Sequence, residues 1–337
     1  MYSLHAKVIQ APMAGGAATP ELASAVCNAG GLGFLAAGYK SAAKVREEIN
    51  ELRNKTNQPF GINLFMPSLD RMDEERINTY RDLVSRSEGV ELGTYYQDDD
   101  GYREKLDLLI KENVPIASFT FGCPAKEDVD ELHRYDIFVI VTVTNAEEMD
   151  IALESNADAV CIQGSEAGGH RGTFRNENEN TNMPILTLIS SLRPKTDKPI
   201  IAAGGIMDGV QMKMLLDEGA DAVQLGTAFL CCPESGAHPM HKEAIMNNRY
   251  DGTVLTRAFS GRLARGLRNS FIDRYGEKAP ASYPFINQIT QPLRKKSAVE
   301  GNPENMSLWA GVGYAECRGL PAGELVSAML HESGVIK

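Results

Sequence analysis

The feature that most constrains the fold is a rhythm of short apolar segments, most of them followed by a stretch with helical signals. Eight such segments occur, at residues 8–11, 33–36, 60–64, 116–119, 137–141, 159–162, 200–203 and 222–225. Because their apolar residues do not alternate with polar ones, they are typical of parallel strands that are buried on both faces. Eight consecutive strand–helix units predict an α/β protein of the (β/α)8 TIM-barrel class.

The starts of three helices can also be predicted. Thr19 followed by Pro20 is typical of a helix N-cap with proline in the first turn. Thr144 and Glu147 have the spacing of a capping box, which predicts a helix after the fifth strand. Asp208 is expected to cap the helix that follows the seventh strand. These local signals agree with the strand–helix rhythm and support one barrel.

Two stretches depart from a minimal barrel. Residues 66–115 lie between the third and fourth strands and are expected to form an insertion with helical charge patterns. After Leu230 the strand rhythm stops, and glycine, proline and helical signals are mixed. We therefore expect residues 1–235 to form the barrel with its insertion. Residues 236–337 are expected to form a mainly helical segment that covers the barrel mouth.

The charge of the chain restricts its partners. Lysine and arginine number 34 against 45 aspartates and glutamates, which gives a net charge of −11. A chain this acidic is repelled by nucleic acids and by anionic membrane surfaces, so neither is an expected partner. A basic pocket for a small anion stays compatible with this balance.

The cellular location is predicted from the N-terminus and the cysteines. The N-terminus lacks a basic stretch followed by an apolar one, and no apolar run approaches the roughly 20 residues that a bilayer span needs. The six cysteines are scattered and form no C-x-x-C pair. A cytoplasmic location with reduced thiols is the expectation. His238 and His241 are three apart, but no cysteine or carboxylate supports them, so no metal site is predicted.

The strongest chemical signal is a pair of glycine turns after the last two strands. Residues 200–206 read Ile-Ile-Ala-Ala-Gly-Gly-Ile, and residues 222–227 read Ala-Val-Gln-Leu-Gly-Thr. Glycine lets backbone N–H groups approach a phosphate, and helix N-termini add partial positive charge. Either turn alone could be a simple tight turn. In tandem at these two strands of a barrel, they favour a phosphate site.

A second signal directly follows the sixth strand, where residues 163–172 read Gln-Gly-Ser-Glu-Ala-Gly-Gly-His-Arg-Gly. Gln163 offers an amide that both donates and accepts, as the polar edge of a flavin requires. The glycines around Gly168 leave room for a flat ring, and His170 would lie close to it. A loop histidine with a structural role is the alternative. Glu166 either orients His170 or is solvated.

Residues at the ends of other strands complete the predicted site. Pro12 and Met13 follow the first strand, and Asn63 ends the third. The Asn63 amide could bond a flavin edge or cap its own loop. Arg262, Arg265 and Arg268 are three apart on a predicted helix. They could add positive potential at the barrel mouth, although such a row is more typical of a solvated face.

These motifs together resemble the nitronate monooxygenases, formerly called 2-nitropropane dioxygenases. The resemblance runs nearly end to end, with the glycine-rich turn and its histidine as the most specific part. The tail segments Phe-Ser-Gly-Arg-Leu-Ala-Arg-Gly at 259–266 and Leu-Trp-Ala-Gly at 308–311 are similar to class I members. The resemblance implies bound FMN and an alkyl nitronate substrate, with propionate 3-nitronate as the usual candidate. It also implies O2 as second substrate, and carbonyl compounds and nitrogen oxides as products.

The resemblance also implies roles for individual residues. His170 matches the catalytic histidine of the family, as a base or as a substrate anchor. Flavin contacts are implied for Pro12, Met13, Asn63, Gln163 and Gly168, and phosphate contacts for Gly205, Gln224, Leu225, Gly226 and Thr227. No metal is implied, and a homodimer is an open expectation.

Two other functions stay open at this stage. One is an FMN- and NADH-dependent reductase, of the enoyl-acyl-carrier-protein or quinone reductase type, whose members carry a similar Gly-Gly-His turn. The Gly-Ser-Glu-Ala run at residues 164–167 favours the monooxygenase. The other is a flavin-binding protein without catalytic activity.

Overall fold

The structure is a computed structural model that describes residues 4–68, 72–177 and 182–335. Within these residues the chain forms eleven strands: β1 (Val8–Gln10), β2 (Phe34–Ala36), β3 (Gly61–Phe65), β4 (Ile116–Thr120), β5 (Phe138–Val143), β6 (Ala159–Gln163), β7 (Gly169–His170), β8 (Ile200–Ala203), β9 (Ala222–Leu225), β10 (Thr253–Thr256) and β11 (Ala264–Leu267).

The same residues form thirteen α-helices: α1 (Pro20–Asn28), α2 (Ala42–Arg53), α3 (Glu74–Glu88), α4 (Tyr102–Lys111), α5 (Lys126–Arg134), α6 (Ala146–Glu154), α7 (Ile185–Leu192), α8 (Gly209–Asp217), α9 (Thr227–Leu230), α10 (Pro239–Met246), α11 (Ser270–Tyr275), α12 (Phe285–Val299) and α13 (Ala322–Glu332). None of the helices in the described ranges is long and apolar enough to cross a membrane.

The barrel consists of eight parallel strands in the order β1-β9-β8-β6-β5-β4-β3-β2. The circle is completed next to β2, where the amide of Gln10 donates to the Leu32 carbonyl and the amide of Leu32 donates to Val8, each at 2.9 Å. All eight apolar segments of the sequence fall on these strands. The predicted TIM-barrel class is therefore confirmed.

Two apolar layers explain why the strand sequences show no alternation. Along β5, Phe138 and Ile140 pack in the barrel interior. Their neighbours Val139 and Val141 pack outward, between the sheet and the surrounding helices. Each strand therefore buries both faces, and an unbroken apolar run is the sequence pattern that this arrangement requires.

Two of the three predicted helix starts are confirmed. The Thr19 hydroxyl accepts from Leu22 N at 3.0 Å, and the Asp208 carboxylate accepts from Gln211 N at 2.8 Å. The predicted capping box at residues 144–147 is wrong by one residue. Asn145 is the N-cap, and Glu148 reaches back to accept from Thr144 N at 2.7 Å. Asn145 takes this place because its backbone is extended there and its side chain bonds the Glu148 amide.

The insertion and the tail share a second apolar core. Ile77 and Tyr80 of α3 pack with Phe271 of α11 and Ile289 of α12, and the Tyr80 hydroxyl donates to Ala258 O at 2.7 Å. The tail is not helical throughout, because β10 and β11 form an antiparallel sheet with β7 of the barrel loop. Its last helix, α13, packs against α1 and α8 in the barrel wall. The domain boundary at residue 235 stays a prediction.

The close approach of β2 to α1 yields a stability prediction. A Cβ added at Gly33 would overlap the Ala23 carbonyl group, with the carbonyl carbon at 2.7 Å. Backbone cannot move away as a side chain can, so we expect Gly33→Ala to lower the free energy of unfolding by about 3 kcal/mol. Urea unfolding measures this loss.

The matched control is Gly323→Ala, whose added Cβ would meet nothing closer than 3.6 Å. We expect this helical substitution to leave stability unchanged or slightly raised. Equal stability of Gly33→Ala and wild type would contradict the packing described for β2.

Candidate active site

Loops after β6, β8 and β9 meet residues 310–313 of the tail at the carboxyl edge of the barrel. A Cβ added at Gly168 would lie 2.6 Å from the carbonyl carbon of Ala310. Gly205 has φ +70°, and a Cβ there would lie 2.8 Å from Cβ of Glu166. Only glycine permits this close packing, and we call the backbone around Gly168, Gly205, Gly226 and Gly311 the glycine cradle.

The turn after β9 closes the other side of this cradle. Gly311 N donates to the Thr227 hydroxyl at 2.9 Å, and a Cβ at Gly226 would lie 3.8 Å from the Met13 sulfur. Leu225 points its side chain into the core, and its carbonyl accepts from Ala11 N at 2.8 Å. Its amide takes part in the same parallel ladder with β1, so the Leu225 backbone is engaged within the sheet and a contact between Leu225 and a phosphate stays a prediction. The structure thus brings the predicted residues of the first, eighth and ninth strands together.

Gln163 positions the loop that carries His170. Its Nε2 donates to His170 O at 3.0 Å, and its Oε1 accepts from Gly172 N at 2.8 Å. Both ends of the side-chain amide are therefore occupied by the loop. A contact between Gln163 and a flavin stays a prediction.

Two buried arginines hold the same loop. Arg171 donates to the carbonyls of Gln163, at 3.0 Å, and of Gly164. Arg262 donates to Arg171 O at 3.1 Å and to Thr173 O. Arg171 is 1 % exposed and Arg262 is 2 % exposed. Carbonyl groups at the turn are thus bound by charged donors, which make stronger hydrogen bonds than neutral ones.

Aromatic rings enclose the half-buried imidazole of His170. The ring centroids of Trp309, Tyr283 and Phe121 lie 5.3, 5.8 and 6.0 Å from it. Burial, with the charges of Arg262 and Arg294, lowers the pKa of His170 from 6.5 to about 3. The imidazole is therefore neutral at physiological pH.

A serine hydroxyl contacts one ring nitrogen of this imidazole. His170 Nε2 lies 2.8 Å from the Ser260 hydroxyl, which itself donates to Arg262 O at 3.1 Å. Nδ1 has no hydrogen-bond partner among the described residues. In the tautomer in which the serine donates to Arg262 O, His170 carries its proton on Nε2 and Nδ1 is available as a proton acceptor.

Asn63 is bound to β4 and does not cap its own loop. Its Oδ1 accepts from Ser118 Oγ at 2.8 Å and from Thr120 Oγ1 at 3.0 Å. No described residue accepts a hydrogen bond from its Nδ2, although Asn63 is 1 % exposed. An amide nitrogen that no residue engages can donate to a bound molecule.

The predicted arginine helix is wrong. Residues 264–267 form strand β11, which pairs with β10 and β7. Arg262 is buried, and Arg265 Nε donates to Ser165 O at 3.0 Å. Only Arg268 is solvated, in an ion pair with Asp273 at 2.7 Å. The interpretation as one solvated face therefore fails for the first two arginines.

Both readings of Glu166 are wrong as well. Its carboxylate accepts from Ile185 N, at 3.1 Å from Oε1 and 3.0 Å from Oε2. Ile185 is the first residue of α7, where an acidic side chain stabilises free amide donors. The Glu166 backbone carbonyl accepts from Val312 N at 3.1 Å. Glu166 therefore links the glycine-rich loop to α7 and to the tail.

Sequence reasoning did not single out several residues of the site. Ser260 lies within the predicted tail segment 259–266, and Trp309 lies within 308–311. Phe121 and Tyr283 stand alone in the sequence without a motif. No spacing in the sequence could have identified these residues as neighbours of His170, because each contacts it only in the folded chain. Among the described residues, no group of three His, Cys, Asp or Glu could hold a metal ion.

The fold is that of the β/α-barrel enzymes, with the candidate site at the carboxyl ends of the strands. The family model described as nitronate monooxygenase matches residues 1–332. The chain is 39 % identical over 335 residues to a nitronate monooxygenase of Pseudomonas aeruginosa, covering 96 % of this chain and 95 % of that protein. It is 39 % identical over 316 residues to a probable nitronate monooxygenase of Bacillus subtilis, covering 93 % and 91 %. The chain belongs to the nitronate monooxygenase family, as its motifs predict.

Solved structures agree with this assignment. The chain superposes on a nitroalkane oxidase from Streptomyces ansochromogenes with a TM-score of 0.95 and 44 % identity, covering 98 % of this chain and 96 % of that one. It is also similar to FabK from Thermotoga maritima, with a TM-score of 0.77, 28 % identity and coverage of 98 % and 93 %. The protein is a flavin-dependent oxidoreductase.

The low pKa of His170 yields a prediction about stability and pH. Between pH 6.5 and about 3, the unfolded chain binds a proton at this position that the folded protein does not. Stability is therefore lost as the pH falls through this window. We expect wild type to lose about 1 kcal/mol more per pH unit than His170→Asn.

Chemical unfolding of the flavin-free protein between roughly pH 6 and pH 4 measures this difference. His331→Asn, at an exposed position of α13, is the control and should keep the wild-type dependence. Parallel curves for wild type and His170→Asn would contradict a buried neutral imidazole.

Proposed function

We propose that this protein uses FMN to oxidise alkyl nitronates with O2, giving carbonyl compounds together with nitrite or nitrate. Propionate 3-nitronate is the proposed substrate, and removal of toxic nitronates is the proposed role. The single observation that carries the proposal is the neutral His170, which keeps Nδ1 free beside the glycine cradle. The names of the relatives and of the nitroalkane oxidase neighbour support it.

The residues at the barrel mouth fit FMN. The cradle at Gly205, Gly226 and Thr227 suits a phosphate, because glycine lets backbone amides approach a ligand closely. Gln224 is half-buried at the end of β9 and would complete it. The unpaired Nδ2 of Asn63 is a donor for a polar ring edge.

The remaining predicted contacts would surround the flavin ring. Pro12, Met13 and Gly168 would lie against the ring face. When bound, FMN would take electrons from the substrate and pass them to O2.

The side chains around His170 would bind an anionic substrate. The charges of Arg262 and Arg294 lower the pKa of His170, so their positive potential reaches the imidazole. The same potential attracts a nitronate, whose oxygens carry the negative charge. The rings of Phe121 and Trp309 exclude water from this pocket and strengthen the attraction.

His170 would act as a base when a neutral nitroalkane binds. Its Nδ1 would accept the proton from the carbon next to the nitro group, while Nε2 stays bound to Ser260. With a nitronate already formed, this proton transfer is not needed, and His170 would contribute to positioning alone. Comparing the two substrates therefore separates the roles of base and anchor.

The first functional prediction concerns His170→Asn. We expect turnover of propionate 3-nitronate to fall at least about tenfold while FMN stays bound, since the change removes the imidazole ring that would position the substrate and leaves the cradle intact. Oxygen uptake measures turnover, and the flavin absorbance measures bound FMN. His331→Asn is the control, and wild-type turnover in His170→Asn would remove this residue from the mechanism.

The second functional prediction concerns Gly205→Ala. The added Cβ meets Glu166 at 2.8 Å and sits at positive φ, so the cradle must widen. We expect FMN affinity to fall at least about tenfold. The control is Gly301→Ala, which has φ +72° and open space around its Cβ. Equal flavin affinity in both variants would contradict the proposed phosphate site.

The NADH-dependent reductase is the second candidate, because the chain is also similar to FabK. Stopped-flow mixing of the flavin-loaded protein with NADH distinguishes the two functions. Slow bleaching by NADH with rapid oxygen uptake on nitronate supports the monooxygenase. Rapid bleaching by NADH would favour the reductase. If neither NADH nor the nitronate causes oxygen uptake, the result would favour a flavin-binding protein without catalytic activity.

A further inference from the structure

Tyr39 follows β2 at the carboxyl edge of the barrel and reaches the candidate active site. Its φ is +65°, a backbone conformation that non-glycine residues seldom adopt and that surrounding contacts must hold. Its ring meets that of Phe65 edge to face, with the centroids 5.3 Å apart. Its hydroxyl lies 2.9 Å from the hydroxyl of Tyr283. The positive φ of Tyr39 therefore coincides with a contact to a residue that packs beside His170.

Asp100 of the insertion holds Tyr39 in this conformation. Its Oδ1 accepts from Tyr39 N at 2.8 Å, and its Oδ2 lies 2.7 Å from Lys105 Nζ in an ion pair. Only 2 % of the Lys105 side chain and 19 % of the Asp100 side chain are exposed. Asp98 Oδ1 in turn accepts from Asp100 N at 2.8 Å. Breaking such a pair leaves an uncompensated buried charge, so the pair keeps the Asp100 carboxylate in one place.

The two tyrosine hydroxyls carry one proton more than they use between them. Each hydroxyl has one proton, and a single hydrogen bond joins Tyr39 to Tyr283. Neither hydroxyl has another hydrogen-bond partner among the described residues. Burial of the hydroxyls raises the pKa of both tyrosines above the usual value, so both are protonated at physiological pH. The pair can therefore donate one spare proton to a bound acceptor.

Tyr283 brings this donor to the pocket of His170. It is 5 % exposed, and its ring centroid lies 5.8 Å from that of the imidazole. The guanidinium carbon of Arg262 lies 5.6 Å from the Tyr283 ring centroid, and the Phe121 ring lies 5.5 Å away. A hydroxyl donor and a positive charge in one pocket that excludes water favour the binding of an anion.

We propose that Asp100 positions the Tyr39–Tyr283 pair so that its spare hydroxyl proton donates to an anionic substrate beside His170. The proposal rests on the proposed function, because a nitronate is such an anion. Tyr39 and Tyr283 bind the substrate as a pair, and Asp100 is a positioning residue that acts through the Tyr39 amide. Lys105 neutralises Asp100, which allows the carboxylate to stay buried.

The test measures the binding of nitrate to the flavin-loaded full-length protein at constant ionic strength. Nitrate is the probe because it is planar and carries nitrogen-bound oxygens as a nitronate does, but it has no carbon to oxidise. Trp309 is the only tryptophan of the chain and its ring centroid lies 5.3 Å from that of His170, so its fluorescence reports binding in this pocket. We expect a saturable change of this fluorescence in wild type.

Two phenylalanine variants test the tyrosine pair. Tyr283→Phe removes the donor and should weaken nitrate binding about tenfold, and Tyr39→Phe leaves that donor without its anchor and should weaken it about fivefold. The KM for propionate 3-nitronate should rise by similar factors, with kcat changed less than about threefold, because a binding contact is lost. Tyr135→Phe, at an exposed position, is the matched control and should bind nitrate as wild type does.

Two double variants isolate the contact between Asp100 and the Tyr39 amide. Both carry Lys105→Met, so neither buries an unpaired charge. With Asp100→Asn, an oxygen that can accept from Tyr39 N remains, and nitrate affinity should stay within about twofold of wild type. With Asp100→Ala, this acceptor is lost and nitrate affinity should fall about fivefold. A merely structural role of the ion pair would lower the unfolding temperature of both and leave nitrate affinity unchanged.

Three outcomes would overturn the proposal. They are the absence of saturable nitrate binding to wild type, wild-type nitrate affinity in either phenylalanine variant, and equal nitrate affinity in the two double variants. Should the double variant with Asp100→Ala fail to fold, Asp100→Ser with Lys105→Met in the same assay supplies the comparison. The expected pattern of nitrate binding without any turnover of nitronates would support the anion site and count against the proposed function alone.

Discussion

The hydrogen bonds that hold residues 170–173 are the interaction on which the candidate site depends. Gln163 and the buried Arg262 bind amides and carbonyls of this loop, and the loop's own buried Arg171 binds the carbonyls of Gln163 and Gly164. Burying such groups is unfavourable unless their hydrogen bonds are made, so the loop and the three side chains stabilise only one arrangement together. This hydrogen-bond network therefore fixes the position of His170.

The same network sets the electrostatics of the pocket. Arg262 both binds the loop carbonyls and places a positive charge near His170, where it lowers the pKa of the imidazole. Ser260 connects the two residues, because it bonds His170 Nε2 and Arg262 O. The position and the charge of His170 are thus determined by one set of contacts. A site that combines these properties is prepared for an anion before any ligand binds.

The barrel and the cradle could be predicted because their sequence signals are local. Parallel strands that are buried on both faces need unbroken apolar runs, and the turn at Gly205 accepts only glycine. The surroundings of His170 carry no such signal, since Ser260 lies 90 residues away and Tyr283 has no motif. The burial of Arg262 could not be predicted, because its side chain binds backbone carbonyls. Every residue has a carbonyl, so no particular partner residue in the sequence indicates this contact. Glu166 likewise bonds the start of a helix that lies beyond its own loop.

Amide hydrogen exchange of residues 169–174 in the flavin-free protein tests the central claim most directly. The amides of Arg171, Gly172 and Phe174 donate to Leu263 O, Gln163 Oε1 and Glu148 Oε1. If buried side chains hold the loop in place, these amides exchange as slowly as those of the barrel strands. Exchange at the rate of an exposed loop, with protection only after FMN is added, would contradict the account.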